Sequence, residues 1–161
     1  MIYIQMIGLL AFCLLVLSFY KKNTATILLY QTASNFIYFI HYFLLGGMTG
    51  AYISLLSMIR NIVFIQTKSK IIIPIFIILY LIVTLVFYEN IYSLLPMIAN
   101  SVYLIAITFN TRKHLLIGEL ISATLWFIYS LFVLSYSGMI TELILMISNE
   151  VQLITLNRKK D

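Results

Sequence analysis

The stretch Ser34–Thr67, SNFIYFIHYFLLGGMTGAYISLLSMIRNIVFIQT, returns 88 residues later as Ser122–Thr155, SATLWFIYSLFVLSYSGMITELILMISNEVQLIT, without a gap. The two share Ser34/Ser122, Phe39/Phe127, Ile40/Ile128, Gly50/Gly138, Leu55/Leu143, Met58/Met146, Ile59/Ile147, Asn61/Asn149, Val63/Val151 and Thr67/Thr155. Ten identities in 34 pairs stand against roughly three expected by chance from so biased a composition. A matched glycine and a matched asparagine in an apolar background are not products of Ile and Leu abundance. The chain therefore reads as an internal duplication, and the elements around the two copies follow from it.

Composition sets the solvent. Of 161 residues, 63% are hydrophobic and only 9% charged, with a mean hydropathy of +1.06, whereas soluble proteins carry about a quarter charged residues. A water-soluble globule of this size could not hide so much apolar surface, so the surrounding medium is lipid. The net charge of +5 comes from short basic clusters between apolar runs, which points to membrane topology and not to a nucleic-acid partner. Cys13, the single cysteine, is expected to be a small buried hydrophobe. Met1 to Gln5 lack the basic segment that precedes a cleavable apolar core, so the first helix is expected to stay in the mature protein.

Seven apolar runs follow one another, at 3–20, 27–45, 51–66, 71–88, 91–109, 115–134 and 139–156, each long enough as a helix to span roughly 24 to 30 Å. Lys21 and Lys22, Lys68 and Lys70, Arg112 and Lys113, and Arg158, Lys159 and Lys160 follow the first, third, fifth and seventh runs. The other face carries Glu89 and the small-residue turns Gly46 to Gly50 and Ser135 to Gly138, with no Lys or Arg. That bias predicts an outer amino terminus and a cytoplasmic carboxyl terminus. The expected fold is an all-α polytopic membrane protein, a single transmembrane domain over 1–161. Within it, 1–67 and 91–157 are two parallel three-helix repeats, 68–90 is a linker helix and 158–161 is a cytoplasmic tail. An odd helix between two triplets is what leaves the copies in the same orientation.

In lipid, a face carrying polar side chains must turn toward protein or a watery cavity. The second run presents Gln31, Ser34, Asn35, Tyr38, His41 and Tyr42 at helical spacing, and the sixth presents Glu119, Ser122, Trp126, Tyr129 and Ser130. The third offers Ser54, Ser57 and Asn61, the fifth Ser93, Pro96, Asn100 and Tyr103, and the seventh Thr141, Glu142, Ser148, Asn149 and Gln152. The fourth is apolar nearly all round, with Thr84 and Pro74 as interruptions, and suits a peripheral linker. Amides offer two donors and an acceptor, which fits gripping the hydroxyls of a polar solute; interhelical hydrogen bonds are the commoner use of Asn in a span. The candidate solute site is Asn61, Asn149, Asn100 and Ser57. Arg60 is expected to pair with Glu150 at the inner mouth, with snorkelling of both to the headgroups as the alternative. His41 and Glu142 are placed at the outer mouth, where a satisfied structural histidine is the other reading.

No glycine-rich nucleotide loop, nucleophile beside a base, or metal-spaced His/Cys set occurs in the sequence, so no catalytic residue, cofactor or metal is expected and the chain is not read as an enzyme.

With those residues in view, the chain resembles the YgjV-type bacterial inner-membrane proteins over nearly its full length. The resemblance rests on His41-Tyr42-Phe43-Leu44-Leu45-Gly46, Gly50-Ala51, Ile59-Arg60, Leu94-Leu95-Pro96, Gly138, Glu142 and Asn149. It implies a multi-pass protein of the bacterial inner membrane. Ser57 stands where that family is expected to have Asn. More distantly the chain is similar to the SWEET and PQ-loop group in topology, charge bias and an Asn on the third helix of each repeat, which implies a three-plus-one-plus-three fold and alternating access. No Pro-Gln pair is present, and Pro74 and Pro96 are the only prolines. Two functions stay open at this point: a SWEET-like transporter of a small polar solute, in contact with membrane lipid, or a non-transporting membrane interaction or sensor protein whose polar stripes only join helices.

Overall fold

The computed structural model describes residues 1–21, 23–67, 69–109 and 111–158, apart from the side chains of Phe19 and Thr24. Seven helices occupy these residues: α1 (Ile2–Phe19), α2 (Thr24–Leu45), α3 (Met48–Gln66), α4 (Ile72–Val86), α5 (Leu94–Thr108), α6 (Arg112–Phe132) and α7 (Tyr136–Arg158), with a single 3-10 turn, Ile91–Ser93, leading into α5. Lys22, Lys68, Lys159 and Lys160, which contribute to the basic clusters, lie outside the described residues. Among the described residues, four helical segments, Met48–Gln66, Ile91–Thr108, Arg112–Phe132 and Tyr136–Arg158, are long and apolar enough to cross a membrane, and α1 and α4 are shorter apolar helices.

Local chemistry sets the helix ends. The Asn23 side chain accepts a hydrogen bond from the Ala25 amide at 2.9 Å and Thr111 caps α6 by accepting from the His114 amide, each satisfying an amide with no partner inside its helix. Between α4 and α5, Asn90 and Ser93 form a reciprocal capping box. Gly46 closes α2 at φ +83°, a left-handed conformation that glycine adopts without steric cost. Its amide hydrogen-bonds back to the last turn, and α3 starts two residues later.

Hydrogen bonds between helices reveal their directions. His41, late in α2, meets the Ile4 carbonyl early in α1 at 2.8 Å and the Ser135 hydroxyl just before α7 at 2.7 Å. Thr49, early in α3, donates to the Phe87 carbonyl just beyond α4 at 2.5 Å. At the opposite end, Arg112, opening α6, donates to Gln152 near the end of α7 at 2.9 Å. Successive helices therefore alternate, and Lys21, Lys70, Arg112, Lys113 and Arg158 gather at one end, the basic end of the bundle.

Neighbours are α1 with α2 and α7, α2 with α3, α3 with α4 and α5, α5 with α4 and α6, and α6 with α7. Exchanging α1, α2 and α3 for α5, α6 and α7 maps the contacts among these six helices onto themselves, with α1–α7 becoming α5–α3. One hydrogen bond lies on the implied axis: Tyr42 and Ser130, 88 residues apart, are joined through their hydroxyls at 3.1 Å.

The interior inverts the usual distribution. Buried side chains include as many polar as apolar ones, while large apolar residues such as Leu10, Leu29, Ile78, Leu85, Ile147 and Val151 face outward. Lipid tails give helices no hydrophobic reason to associate, so close packing and interhelical hydrogen bonds must hold them. Gly118 fits against the Ala106 methyl of α5 with no room for a side chain. Ile72, Ile73, Phe76 and Tyr80 of α4 pack with Ile53 of α3 and Leu104 of α5, and the opposite face of α4 points outward. Cys13, expected to be buried, is exposed on α1. In a bundle whose medium is lipid, a small apolar residue is equally at ease on the outer face, so its apolarity gave no direction.

Candidate functional site

A cavity of about 150 Å³, lined by polar and aromatic side chains, opens between the helices, with walls from every helix except α4. Its lining consists largely of positions 88 apart: Leu15/Tyr103, Gln31/Glu119, Ser34/Ser122, Asn35/Ala123, Tyr38/Trp126, Ser54/Glu142 and Ser57/Leu145, with only Tyr42, Arg60 and Asn100 outside such a pair. The Leu15/Tyr103 pair carries the correspondence into α1 and α5, where the sequence comparison is weak. Shape is thus contributed evenly by the two halves, but charge is not. Both carboxylates, Glu119 and Glu142, come from the second half, opposite uncharged Gln31 and Ser54, and the guanidinium comes from Arg60 in the first.

Arg60 is anchored beside the cavity. Its Nε and Nη2 donate to Asn61 Oδ1 at 3.3 and 3.0 Å, Nη1 reaches the Tyr80 hydroxyl at 3.4 Å, and the guanidinium lies 5.6 Å above the Tyr103 ring. Ser57 donates to Asn100 Oδ1 at 3.1 Å and shares a 3.0 Å hydrogen bond with Tyr80, while Asn100 Nδ2 donates to the Pro96 carbonyl at 2.9 Å. Among the described residues, no hydrogen bond or ion pair joins the Glu119 or Glu142 carboxylate to the protein.

Toward the non-basic end the cavity is capped by aromatic rings and hydroxyls. Tyr42 stacks on Trp126 with ring centroids 5.5 Å apart and meets Tyr129 edge-on at 5.8 Å. Tyr38 is hydrogen-bonded to Thr141 at 2.7 Å, and the Tyr129 hydroxyl accepts from the Gly50 amide at 2.9 Å. Gly50 is required there because a Cβ would run into the Tyr129 ring. Toward the basic end lies a second cavity of about 580 Å³, lined by Ser18, Ile27, Arg112, Leu115, Leu116, Ser148, Asn149 and Gln152 together with Glu119 and Leu145. Glu119 and Leu145 face both cavities and form the wall between them.

The sequence-derived candidates are divided by this geometry. Ser57, Asn100, Arg60 and Glu142 line the central cavity. Asn61 and Asn149 do not grip it from opposite sides: the Asn61 Oδ1 accepts from Arg60, Asn149 faces the second cavity, and the Nδ2 of each is buried without a partner among the described residues. The expected Arg60–Glu150 pair is not formed. Glu150 is exposed on the outside of α7, one residue around the helix from Asn149, and Arg60 turns instead to Asn61, Tyr80 and Tyr103. His41 guards no mouth. It is fully buried, with Nδ1 donating to the Ile4 carbonyl and Nε2 accepting from Ser135, which is the structural reading of that residue. Glu142 lies within the cavity and not at an outer mouth. Tyr80 is the residue the sequence did not single out, because it sits on the otherwise apolar α4. Gln31, Tyr38, Glu119 and Trp126 were legible as polar stripes, and shared offset along those stripes would have selected them better than residue identity did.

A family description covering bacterial inner membrane proteins, Imp-YgjV, matches residues 2–160. The chain belongs to that family. Membership places it among inner-membrane proteins, in agreement with the outward-facing apolar helices. No curated protein and no solved structure matches the chain.

Proposed function

We propose that the protein is a transporter that passes a small polar solute through the bundle centre, with its amino terminus outside and its carboxyl terminus in the cytoplasm. The observation that carries the reading is the cavity itself, lined by Glu119, Glu142, Arg60 and uncharged polar side chains at positions paired 88 residues apart. Helices that needed polar residues only as glue would pair them with one another, whereas Glu119 and Glu142 are left facing open space. Ionisable groups in a span are costly and by default mark solute or ion pathways. The basic end is the cytoplasmic one by charge bias, so the second cavity is an inner vestibule and the aromatic cap an outer seal. Paired triplets around a midplane site are the arrangement in which one half rocks against the other.

Water-borne thiol labelling tests this directly. In a Cys13→Ser background, Ser57→Cys reports the central cavity and Ser148→Cys the vestibule. Both should react in membranes opened at the cytoplasmic side, and addition of a transported solute to vesicles should slow the Ser57→Cys reaction. A dry bundle, with both sites silent while the protein remains folded, would refute transport and leave an interaction or sensor role.

A further inference from the structure

We infer that the solute is a small monovalent organic cation, an ammonium compound of about six non-hydrogen atoms. The inference rests on the transport reading and specifies the chemistry of that same cavity. Size is the first constraint. A space of about 150 Å³ is comparable to one that accommodates benzene, which suits a solute of about six non-hydrogen atoms.

Charge is the second. Two carboxylates, Glu119 and Glu142, and one guanidinium, Arg60, line the cavity. The guanidinium is already engaged by Asn61, Tyr80 and Tyr103. Two carboxyl groups this buried ionise together only where a positive charge besides Arg60 is at hand, and a monovalent cation in the cavity supplies it, taking the place of a proton.

The aromatic lining is the third constraint. Tyr38, Tyr42, Tyr103 and Trp126 line the space, and aromatic rings attract alkylammonium groups through their quadrupoles, although Tyr42 and Trp126 turn one face to each other. Arg60 lying over Tyr103 shows one of these rings already accepting a cation. A separate observation marks the way in. Asn149 is 3% exposed and its Nδ2 has no partner, yet it faces the vestibule into which Glu119 also opens. An unpaired buried amide is costly, and a polar solute passing from the vestibule toward Glu119 would supply its partner.

Trp126 is the sole tryptophan of the chain and lines the cavity, so its emission reports occupancy. Purified protein in lipid nanodiscs, at constant sodium chloride, is titrated with tetramethylammonium and separately with glycerol, a neutral probe of similar size. The expected result is a saturable change with tetramethylammonium and none with glycerol. Glu142→Gln and Glu119→Gln should each weaken binding at least tenfold, and Glu150→Gln on the outer face should leave it unchanged. Either cavity variant suffices should the other not fold. Equal responses to both probes, or carboxamide variants that bind as tightly as the native protein, would overturn the cation assignment and leave the polar-solute reading standing. Silence from both probes overturns it as well; the Ser57→Cys labelling then separates a hydrated cavity for another solute from a dry bundle, in which the transport reading falls too.

Discussion

Replacing Gly50 with alanine should loosen the seal at the non-basic end. A Cβ at this position would lie 2.8 Å from both Cζ and the hydroxyl oxygen of Tyr129, and closer still to the ring edge. The ring cannot step aside, because Tyr129 is 2% exposed and is held edge-on by Tyr42 and Trp126 at 5.8 and 5.7 Å. Overpacking of this kind costs about 1–3 kcal/mol, and displacing the ring also loses the bond from the Gly50 amide, about 0.5–1.5 kcal/mol. The combined loss is about 2–4 kcal/mol, which for a chain of this size lowers the melting temperature by roughly 5 to 15 °C. Thermal melts in detergent, followed through Trp126 emission, measure it. A double-mutant cycle with Tyr129→Ala should show strong non-additivity, since the Tyr129 change removes what the methyl group strikes. Should Gly50→Ala melt within a degree of the native protein, the close approach of α3 to α6 that seals the cavity would be refuted.

Other consequences are as direct. Arg60→Gln should lower stability by about 2–4 kcal/mol, because it removes charge-assisted bonds and strands Asn61 Oδ1 in the interior, whereas Glu150→Gln should stay within about 0.5 kcal/mol; chemical unfolding in mixed micelles compares them. Ser122→Phe, which projects a ring into the cavity, should abolish water-borne labelling of Ser57→Cys while the protein still elutes as a folded species. Cys13, exposed on α1, should resist maleimide in the membrane, because the reacting thiolate does not form in hydrocarbon, and react once the protein is unfolded in detergent; ready reaction in intact membranes would place that face of α1 against water. His41→Ala should destabilise by about 1–3 kcal/mol, through loss of its bonds to the Ile4 carbonyl and the Ser135 hydroxyl, without altering solute selectivity in vesicle uptake.

Sequence alone determined the solvent, the number of helices and the positions that face inward. Each follows from a property that is local or periodic: apolar run length against bilayer thickness, basic residues confined to alternate turns, and polar side chains recurring at helical spacing on α2, α3, α5, α6 and α7. The 88-residue offset was legible too, and it indexes most of the cavity wall. Which inward residues meet each other was not. Asn61 and Asn149 match in sequence, but the Asn61 Oδ1 is taken up by its neighbour Arg60 while Asn149 lines a different cavity. Glu150 sits one residue past an inward position, and the 100° turn between consecutive helix residues is enough to put it outside. Tyr80 joined the site only because α4 packs across α3 and α5. Periodicity says which side of a helix is polar, whereas helix rotation and separation, set by glycines and ring packing between segments far apart in the chain, decide which of those groups are spent on one another and which are left open to a solute.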